Sequence, residues 1–568
     1  MRWITCALII TFLTLVPTAH GLMASLAGAG HAYTLGTLVM LALAGSLPAL
    51  WPQSVDDRSG KGTNARLAAA VAIAGLALLF WVAFRLLAAV FAGPLDPNRG
   101  DMLVIIEHAI AQFRSGGNPY GIHHVPWDAP LSYGPVLWLP FVVPQVCRVD
   151  LRIVTLVAQL VVPASLILAA AIRAGRRDPA PAAALVGIGA ALALNPDILR
   201  FHVIGHTQIY WPLLLVFAAM LASGRWTAAA ICLGLLVAAR TTMVALVPVF
   251  FLHLALNRVL SPRRVVWFTL AAGLPFLPFV VADPGAVYYA MFGVYLKLMK
   301  SFVWYSTTWT QNTYGLTGRL LERGLERYVE AAQVAALAAT YFLSWRSLRR
   351  GGRPEPWMAL ALLVFSMTTL WPVSYLYFDV WVLLASGLLA SGGFGALSGF
   401  RLSRRVASIA AVCTAIVLTA AAIRPGSSYS LDIGEPSTAG FTGGGFGRDA
   451  AVEDEGRQVV WIEGETARVR VPRAGWLGAT IRIAIKPNVF PAGAPNGGLV
   501  QRVSAMLNGR TLGVSTLSPG WQEITFASRG GDWFYGFNVL DLQFTYAVPM
   551  SGGDGRALSA AIDRISID

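Results

Sequence analysis

Long apolar runs separated by short polar segments fill most of the first 424 residues of the chain. A helix needs about 20 mostly apolar residues to cross the hydrocarbon core of a bilayer. The pattern predicts a polytopic α-helical membrane protein with thirteen spans. They lie near residues 3–19, 33–50, 67–92, 153–172, 181–195, 208–223, 226–239, 242–256, 265–282, 328–345, 356–371, 376–398 and 406–423.

One further apolar run, residues 135–147, is too short for a span. It has 13 residues and contains three prolines, which is more typical of an interfacial or re-entrant segment. Counting it as a span would also place the arginines that follow on the other side of the membrane. We therefore assign residues 93–152 to one long external loop that contains short membrane-lying helices.

The basic residues of the short loops orient the spans. Cytoplasmic loops of membrane proteins carry an excess of Lys and Arg. With the N-terminus in the cytoplasm, as Arg2 suggests, one side receives Arg58, Lys61, Arg66, Arg173, Arg176, Arg177, Arg225, Arg258, Arg263, Arg264, Arg346, Arg349, Arg350, Arg353, Arg401, Arg404 and Arg405. We therefore expect a multi-pass protein of the bacterial inner membrane whose C-terminal region lies outside the cytoplasm.

The first apolar run has two interpretations. The segment PTAHG at residues 17–21 offers small residues near a position where a signal peptidase would cleave. The flanking positive charge is weak, however, and a second apolar run follows closely. We favour a retained helix over a cleaved signal peptide.

After residue 424 the apolar runs stop. Residues 425–456 are rich in Gly, Ser and acidic residues, a composition typical of a linker. From residue 457 to residue 568 apolar and polar residues alternate between turn signals, which predicts an extracytoplasmic antiparallel β-sandwich. Its motifs resemble jelly-roll, galactose-binding-like modules at Leu507, Asn508, Gly509, Gly520, Trp521, Gly536, Asn538, Leu540 and Leu542.

The composition supports the membrane class and excludes others. Of the 568 residues 56% are hydrophobic and 13% are charged, and the mean hydropathy is +0.61. A soluble protein averages about 25% charged residues, and disorder would need low hydrophobicity with high charge. The net charge of +14 would suggest nucleic acid in a soluble protein. Here it reflects cytoplasmic loops, so we expect membrane lipid and no nucleic acid as a partner.

The loop after the third predicted span carries the first candidate for chemistry. Asp101 stands at the start of a short amphipathic segment. Polar residues at membrane level are costly and often mark a functional site. From its position alone, Asp101 is either the N-cap of a helix or a catalytic base at the mouth of a membrane cavity.

Asp101 is followed by the run GNPY at residues 117–120, and then by Tyr133 and Pro135. This pattern resembles the first external loop of GT-C fold integral-membrane glycosyltransferases. The resemblance is closest to the polyprenol-phosphate-mannose-dependent α-mannosyltransferase-like family, which has an Asp, then G-x-N-P-Y, then Y-x-P-P. Here the segment reads Gly134-Pro135, so one proline of the usual pair is missing.

Further motifs follow in the family's order. GHTQ at 205–208 stands where the family has G-Q-x-N, and AARTT at 238–242 where it has a Lys or Arg followed by Thr-Pro. QNTYGLTGRL at 311–320 and WPVSYLYF at 371–378 resemble two later segments of the family. The resemblance covers about residues 67–400, so it leaves the first two helices and the C-terminal module unexplained.

The resemblance implies a transferase that takes a sugar from a polyprenyl-phosphate donor and delivers it to an external glycan or glycolipid. The lipid-phosphate sugar is a co-substrate, and no cofactor is expected. Such a transfer needs a base for the acceptor proton and a cation beside the leaving phosphate. The matched positions imply Asp101 as the base and Arg240 and Arg319 as donor-phosphate ligands. Implied substrate contacts are Asn118, Tyr120, Tyr133, His206, Gln208, Gln311, Asn312, Tyr375 and Tyr377.

Alternatives to these roles stay open. Arg240 could instead extend its side chain to the lipid head groups without binding a substrate. The aromatic residues of 284–314 could instead form a belt at the membrane interface. Adjacent His123 and His124 lack the usual metal-ligand spacing, and the four cysteines form no CxxC pair, so we expect no metal site. Other carboxylates that qualify as the base are Asp96, Glu107, Asp128, Asp197 and Asp379.

Two other functions compete with the transferase: a transporter or flippase of lipid-linked saccharides, and a non-catalytic membrane scaffold for the β-module. The absence of an internal repeat in the sequence argues against a transporter. The predicted organisation is two additional helices and a cytoplasmic loop in 1–66, a GT-C-like catalytic domain in 67–424, a linker in 425–456 and the β-module in 457–568.

Overall fold

The structure is a computed structural model in two compact units. The helical unit comprises Met1–Leu86, Pro97–Val143 and Val154–Leu418, and the β unit comprises Leu87–Asp96, Pro144–Ile153 and Thr419–Asp568. The residues described are 1–27, 31–52, 64–125, 127–176, 178–299, 301, 313–371, 373–391, 399–423, 429–435, 438–447, 452–454, 457–473, 475, 477–490, 496, 498–550 and 555–568.

Helices account for nearly all regular structure before residue 424. They are Arg2–Leu15 (α1), His20–Ala27 (α2), Ala32–Leu50 (α3), Ala65–Phe91 (α4), Met102–Arg114 (α5), Pro135–Trp138 (α6), Val142–Cys147 (α7), Leu151–Gly175 (α8), Pro179–Leu194 (α9), Pro196–Phe201 (α10), Trp211–Ala222 (α11), Trp226–Ala239 (α12), Val247–Leu256 (α13), Pro262–Gly273 (α14), Leu277–Ala282 (α15), Pro284–Tyr288 (α16), Leu316–Glu322 (α17), Val329–Leu348 (α18), Glu355–Thr368 (α19), Leu376–Ser391 (α20) and Gly399–Ile423 (α21).

Short helical turns of other kinds interrupt or extend these helices. The 3₁₀ turns are Leu139–Phe141, Thr207–Tyr210, Thr241–Leu246, Leu274–Phe276 and Glu326–Tyr328. Two π-helical turns, Tyr289–Gly293 and Tyr295–Met299, follow α16. A small hairpin of Ile122–His124 (β1) and Asp128–Pro130 (β2) lies between α5 and α6.

Within the described residues, four helical segments are long and apolar enough to cross a membrane: Ala32–Leu50, Ala65–Phe91, Leu151–Gly175 and Pro262–Ala282. The pair Arg2–Leu15 and His20–Leu26, which is bent by 88°, would be a fifth if it forms one span. Other apolar helices have 10–17 residues. At about 1.5 Å per residue these fall short of a hydrocarbon core of about 30 Å.

The structure therefore has apolar helices at the predicted positions, but it does not support thirteen full-length spans. Backbone breaks account for much of the difference. The predicted spans near 208–223 and 242–256 each begin with a 3₁₀ turn, after which Pro212 and Pro248 lie in the first turn of α11 and α13. Proline is tolerated there because its missing N–H has no partner within the helix.

The β unit contains two antiparallel sheets. One has the strand order β10-β7-β13-β5-β4, with β3 and β12 also paired to β13, and the other has the order β6-β11-β8-β9. The strands are Tyr429–Asp432 (β3), Val452–Asp454 (β4), Arg457–Glu463 (β5), Thr466–Arg473 (β6), Ala479–Pro487 (β7), Arg502–Leu507 (β8), Arg510–Thr516 (β9), Gln522–Ser528 (β10), Gly536–Phe544 (β11), Val548–Pro549 (β12) and Ala557–Ile567 (β13).

The two sheets share one apolar core. Ile481, Ile483 and Ile485 of β7 are fully buried in it, as are Val469 of β6 and Leu540 of β11. The period of two in the sequence thus marks the inward face of each strand, and the prediction of a C-terminal all-β region is confirmed. Strands β3 and β4 fall within residues 425–456, which the composition had marked as a linker.

Two segments from earlier in the chain belong to the β unit. Arg152 is fully buried and forms an ion pair with Asp150, with Nη2 and Oδ2 2.8 Å apart. The same guanidinium donates to the Gly93 carbonyl at 2.9 Å and lies over the Phe537 ring. Arg470 of β6 donates to the Leu95 carbonyl. These charged groups are all satisfied, as buried charges must be.

Candidate functional site

A cavity of about 1090 Å³ lies within the helical unit. Ligand pockets typically have volumes of about 300–1,000 Å³, so this cavity has room for a large substrate. Four residues that the sequence singled out, Asp101, Tyr133, Arg240 and Tyr375, line it together. They come from four separate segments of the chain.

Asp101 immediately precedes α5, yet its side chain makes no capping hydrogen bond. Instead, its Oδ2 accepts a hydrogen bond from Nε1 of Trp127 at 3.3 Å. Trp127 lies in the turn of the β1–β2 hairpin, which the sequence analysis did not predict. Burial raises the pKa of the Asp101 carboxyl above its usual value, and the Trp127 hydrogen bond opposes that rise. The side chain of Asp101 is therefore held by Trp127 and does not cap α5.

Arg240 occupies a break in the helical backbone. Helix α12 ends at Ala239, Arg240 is extended, and the 3₁₀ turn Thr241–Leu246 follows. Its Nη1 donates to the Tyr210 hydroxyl at 3.0 Å and lies 3.5 Å from Oδ2 of Asp379. Its guanidinium also lies 5.1 Å from the centre of the Tyr375 ring. Arg240 is therefore paired, whereas the sequence had shown it only among apolar neighbours.

Asp379 is the buried acceptor of this network. Its Oδ2 accepts from the Tyr210 hydroxyl at 2.7 Å, and its Oδ1 accepts from Nε1 of Trp211 at 3.1 Å. The contact with Arg240, at 3.5 Å, is the longest of the three. A guanidinium has five N–H donors, and both of these Arg240 contacts use Nη1. Arg240 also forms a hydrogen bond with the Tyr375 side chain, so three side chains hold the guanidinium at the cavity.

Gly134 brings the segment that carries Tyr133 against the backbone next to Arg240. Its N–H donates to the Ala239 carbonyl at 3.2 Å. A Cβ at position 134 would collide with the carbonyl oxygen of Ala238. The close approach therefore requires a residue without a side chain at position 134.

Asn118 and Tyr120 support this segment from behind rather than lining the cavity. The Asn118 side chain accepts from the Tyr120 N–H at 3.0 Å in a local turn. The Tyr120 hydroxyl donates to the Tyr133 carbonyl at 3.1 Å and accepts from Nε1 of Trp138 at 3.2 Å. Since Tyr120 is 1% exposed, its contact with a substrate would require the loop to move.

His206 and Gln208 are fully buried beside the cavity wall. The His206 ring packs edge-on against Tyr133 with the ring centres 4.0 Å apart. No described residue forms a hydrogen bond with the polar side-chain atoms of either residue. Burial lowers the pKa of His206 well below its usual value, and Arg240 lowers it further. His206 is therefore a neutral neighbour of the site.

Other predicted residues lie apart from the cavity lining. Arg319 forms an ion pair with Glu322 at 3.0 Å and lies over the Tyr33 ring. The Tyr377 hydroxyl donates to the Tyr314 carbonyl at 2.6 Å. Gln311 and Asn312 lie outside the described residues.

The adjacent residues His123 and His124 have different environments. His123 is buried, and its Nε2 lies 2.8 Å from the Pro119 carbonyl oxygen. His124 is exposed and contacts Asp128 across the hairpin. Within the part of the chain that the structure describes, no three His, Cys, Asp or Glu side chains come together as a metal-binding group.

The cavity also has a wall that sequence reasoning missed. His20 and Tyr33 come from α2 and α3, and Tyr314 and Asp197 lie on the same cavity. Asp197 had been named only as an alternative base, and the first helices lay outside the family resemblance. This part of the cavity had a single indication in the sequence, namely polar and aromatic residues in otherwise apolar runs.

Comparison with known proteins adds no assignment. No protein-family model matches the chain, and no curated protein matches it either.

The Gly134 contact leads to a first prediction. Gly134→Ala should lower the thermal unfolding midpoint of the purified protein, because overpacking costs about 1–3 kcal/mol. Gly187→Ala is the matched control, since nothing lies within 4 Å of the added methyl group there. Equal midpoints for the two variants would contradict the close backbone contact.

The Arg240 network leads to a second prediction. Arg240→Met should lower the unfolding midpoint sharply, because removing one partner of a buried ion pair costs about 3–5 kcal/mol. The double variant Arg240→Met/Asp379→Asn should recover part of the loss, since the remaining buried side chain is uncharged. Exposed Arg200→Met serves as the control. A double variant with the summed loss of the two single variants would show that the charges are not coupled.

Proposed function

We propose that this protein is an integral-membrane glycosyltransferase of the GT-C type. It moves a sugar from a polyprenyl-phosphate donor to a glycan or glycolipid acceptor outside the cytoplasm. The observation that carries the proposal is the shared cavity of Asp101 and Arg240, which offers a carboxylate and a guanidinium to one substrate. The order of motifs along the chain supports it independently.

Asp101 acts as the general base. The acceptor hydroxyl attacks C1 of the donor sugar, a C1–O bond to the acceptor forms, and the hydroxyl proton passes to the Asp101 carboxylate. Burial raises the pKa of this carboxyl, which makes it a stronger base, while Trp127 fixes its direction. A general base of this kind contributes about 10²–10⁴-fold to the rate.

Arg240 stabilises the leaving group. As the bond between C1 and the phosphate oxygen breaks, a second negative charge develops on the polyprenyl phosphate. A fixed cation stabilises such charge most where water is excluded, and Arg240 is 9% exposed. A single displacement of this type inverts the configuration at C1.

The setting is a membrane with the site on its outer side. Apolar helices in the structure are compatible with a membrane protein, and a lipid-linked donor would reach the cavity from the bilayer. We place the protein in the bacterial inner membrane, with the β unit outside the cytoplasm as a jelly-roll, galactose-binding-like module. Arginine-rich loops on the opposite side support that orientation.

The base assignment predicts the outcome of one substitution. With synthetic polyprenyl-phosphate sugars and purified protein, Asp101→Asn should lower kcat by about 10²–10⁴-fold and leave the KM for the donor nearly unchanged. Asp128→Asn is the matched control, because Asp128 is an exposed carboxylate of the same loop. It should retain normal turnover.

The same assay separates the transferase from a transporter. Turnover by Asp101→Asn at the normal rate would overturn the base assignment. Wild-type protein that transfers no sugar, yet moves labelled sugar lipid across reconstituted vesicles, would overturn the transferase and favour a flippase.

The Trp127 hydrogen bond predicts a pH effect. The base works as a carboxylate, so kcat/KM should fall as the pH drops through the pKa of Asp101, which burial places above the ordinary aspartate value. Trp127→Phe removes the hydrogen bond that favours the ionised form. The acidic limb of kcat/KM should then move to higher pH by up to about one unit.

A second tryptophan variant serves as the control for this shift in the pH profile. Trp81→Phe removes a tryptophan of similar exposure from α4 and should leave the profile in place. An acidic limb that stays fixed in Trp127→Phe would mean that a group other than Asp101 limits the rate.

A further inference from the structure

Four charged side chains among the described residues line the cavity, namely Arg99, Asp101, Asp197 and Arg240. Two of these four have an opposite charge nearby. Asp379 forms an ion pair with Arg240. Arg200 of α10 acts electrostatically on the Asp197 carboxylate, which lies three residues before it in the same helix. Each of these two pairs is close to neutral as a whole, so the charges that remain in the cavity are those at residues 99 and 101.

Arg99 brings an uncompensated positive charge to the cavity. The residue is exposed, and it forms no hydrogen bond or ion pair with any described residue. The carboxylate of Asp101 accepts a hydrogen bond from Trp127 and is not paired with Arg99. Since an arginine side chain stays protonated in proteins, Arg99 is a permanent cation with room for an anionic ligand.

The turn that carries Arg99 is packed against the segment after α10. Residues 97–99 form the turn, and Gly100 follows it. A Cβ at Gly100 would lie 2.8 Å from Cβ of Ile204, which is closer than two such carbon atoms approach. Gly100 and Ile204 line the cavity as well. The backbone beside Arg99 is therefore held at the cavity, and the long side chain extends from a defined position.

The proposed transfer changes the charge of the lipid phosphate. The donor is a phosphodiester with one negative charge. When the bond between C1 and the phosphate oxygen breaks, its electron pair stays on that oxygen, and the product is a monoester with a charge of about −1.5 to −2 at pH 7. Asp379 already offsets the charge of Arg240. The extra negative charge therefore favours a further cation, and Arg99 is the one that the described lining of the cavity offers.

We infer that Arg99 binds the phosphate of the lipid carrier and compensates the charge that develops on it as the sugar leaves. The inference rests on the proposed transferase function and adds a second phosphate ligand from a different segment of the chain than Arg240. The chemistry recognised is a phosphate monoester on an apolar chain. Anionic lipid head groups also carry phosphate, so the test separates these two sources.

Binding is measured without turnover, on the purified full-length protein in nanodiscs of phosphatidylcholine. The probes are farnesyl phosphate, a short polyprenyl monoester, and farnesol, which lacks the phosphate. Arg99→Gln should raise the Kd for farnesyl phosphate about 10-fold, in the range of one hydrogen bond to a charged group. It should leave the Kd for farnesol unchanged. Arg99→Lys keeps the charge and should recover part of the affinity.

The charge argument also predicts a difference between product and donor. In Arg99→Gln, the Kd for a farnesyl-phosphate sugar, which has one negative charge, should rise less than the Kd for farnesyl phosphate. In turnover with that donor, kcat should fall about 10-fold, because the lost contact is strongest when the second charge has developed. The KM for the acceptor should stay the same.

Arg114→Gln is the matched control. Arg114 is an exposed arginine at the other end of α5, outside the described lining of the cavity, and its replacement removes the same charge. It should leave each Kd unchanged. Because Arg99 has no partner among the described residues, Arg99→Gln should keep the unfolding midpoint of the wild type, so that lost binding does not reflect lost structure.

Three results would overturn the inference. One is that Arg99→Gln binds farnesyl phosphate as tightly as the wild type does. Another is that Arg114→Gln loses as much affinity, which would indicate general electrostatic attraction. The third is that phosphatidylglycerol in the nanodiscs removes the difference between Arg99→Gln and the wild type, because head groups would then occupy Arg99. Arg99-dependent binding of farnesyl phosphate without any sugar transfer would count against the proposed function alone.

Discussion

A buried arginine in an apolar bundle has to be paired, and this constraint organises the candidate site. Arg240 lies where α12 ends and a 3₁₀ turn begins; Asp379 compensates its charge, and the Tyr210 hydroxyl accepts a hydrogen bond from it. Nε1 of Trp211 donates a further hydrogen bond to the Asp379 carboxylate. The network joins the start of α11, the end of α12 and α20. It therefore also stabilises the backbone break that exposes Arg240 to the cavity.

The loop that carries Tyr133 depends on the same break. Beyond Ala239 the helix has ended, so the last carbonyls of α12 are open to partners outside the helix. Gly134 donates to one of them, and only a residue without a side chain approaches this closely. Tyr120 then fixes Tyr133 from the other side. Residues that resembled substrate ligands in sequence thus also build the scaffold that positions the cavity wall.

The sequence pattern predicted the class of each region better than its detail. Hydropathy located α3, α4 and α8 because their apolar runs are long, and alternation located β7 and β11 because each has one buried face. The starts of α11 and α13 were missed, since hydropathy does not register the 3₁₀ turns Thr207–Tyr210 and Thr241–Leu246 that precede them. Asp379 was missed as its partner because the two residues are 139 positions apart. Tyr33 and His20 were missed because no motif covered them.

The two charges assigned to catalysis share a cavity without neutralising each other. Within the described residues, Asp101 and Arg240 form no ion pair with each other. Trp127 holds the Asp101 carboxylate, whereas Asp379 and Tyr210 hold the Arg240 guanidinium. A base and a cation that paired directly would have to separate before each turnover, and that reorganisation would add to the barrier. Separate partners hold each charge in place, so both are available to the phosphate and the hydroxyl of the proposed reaction.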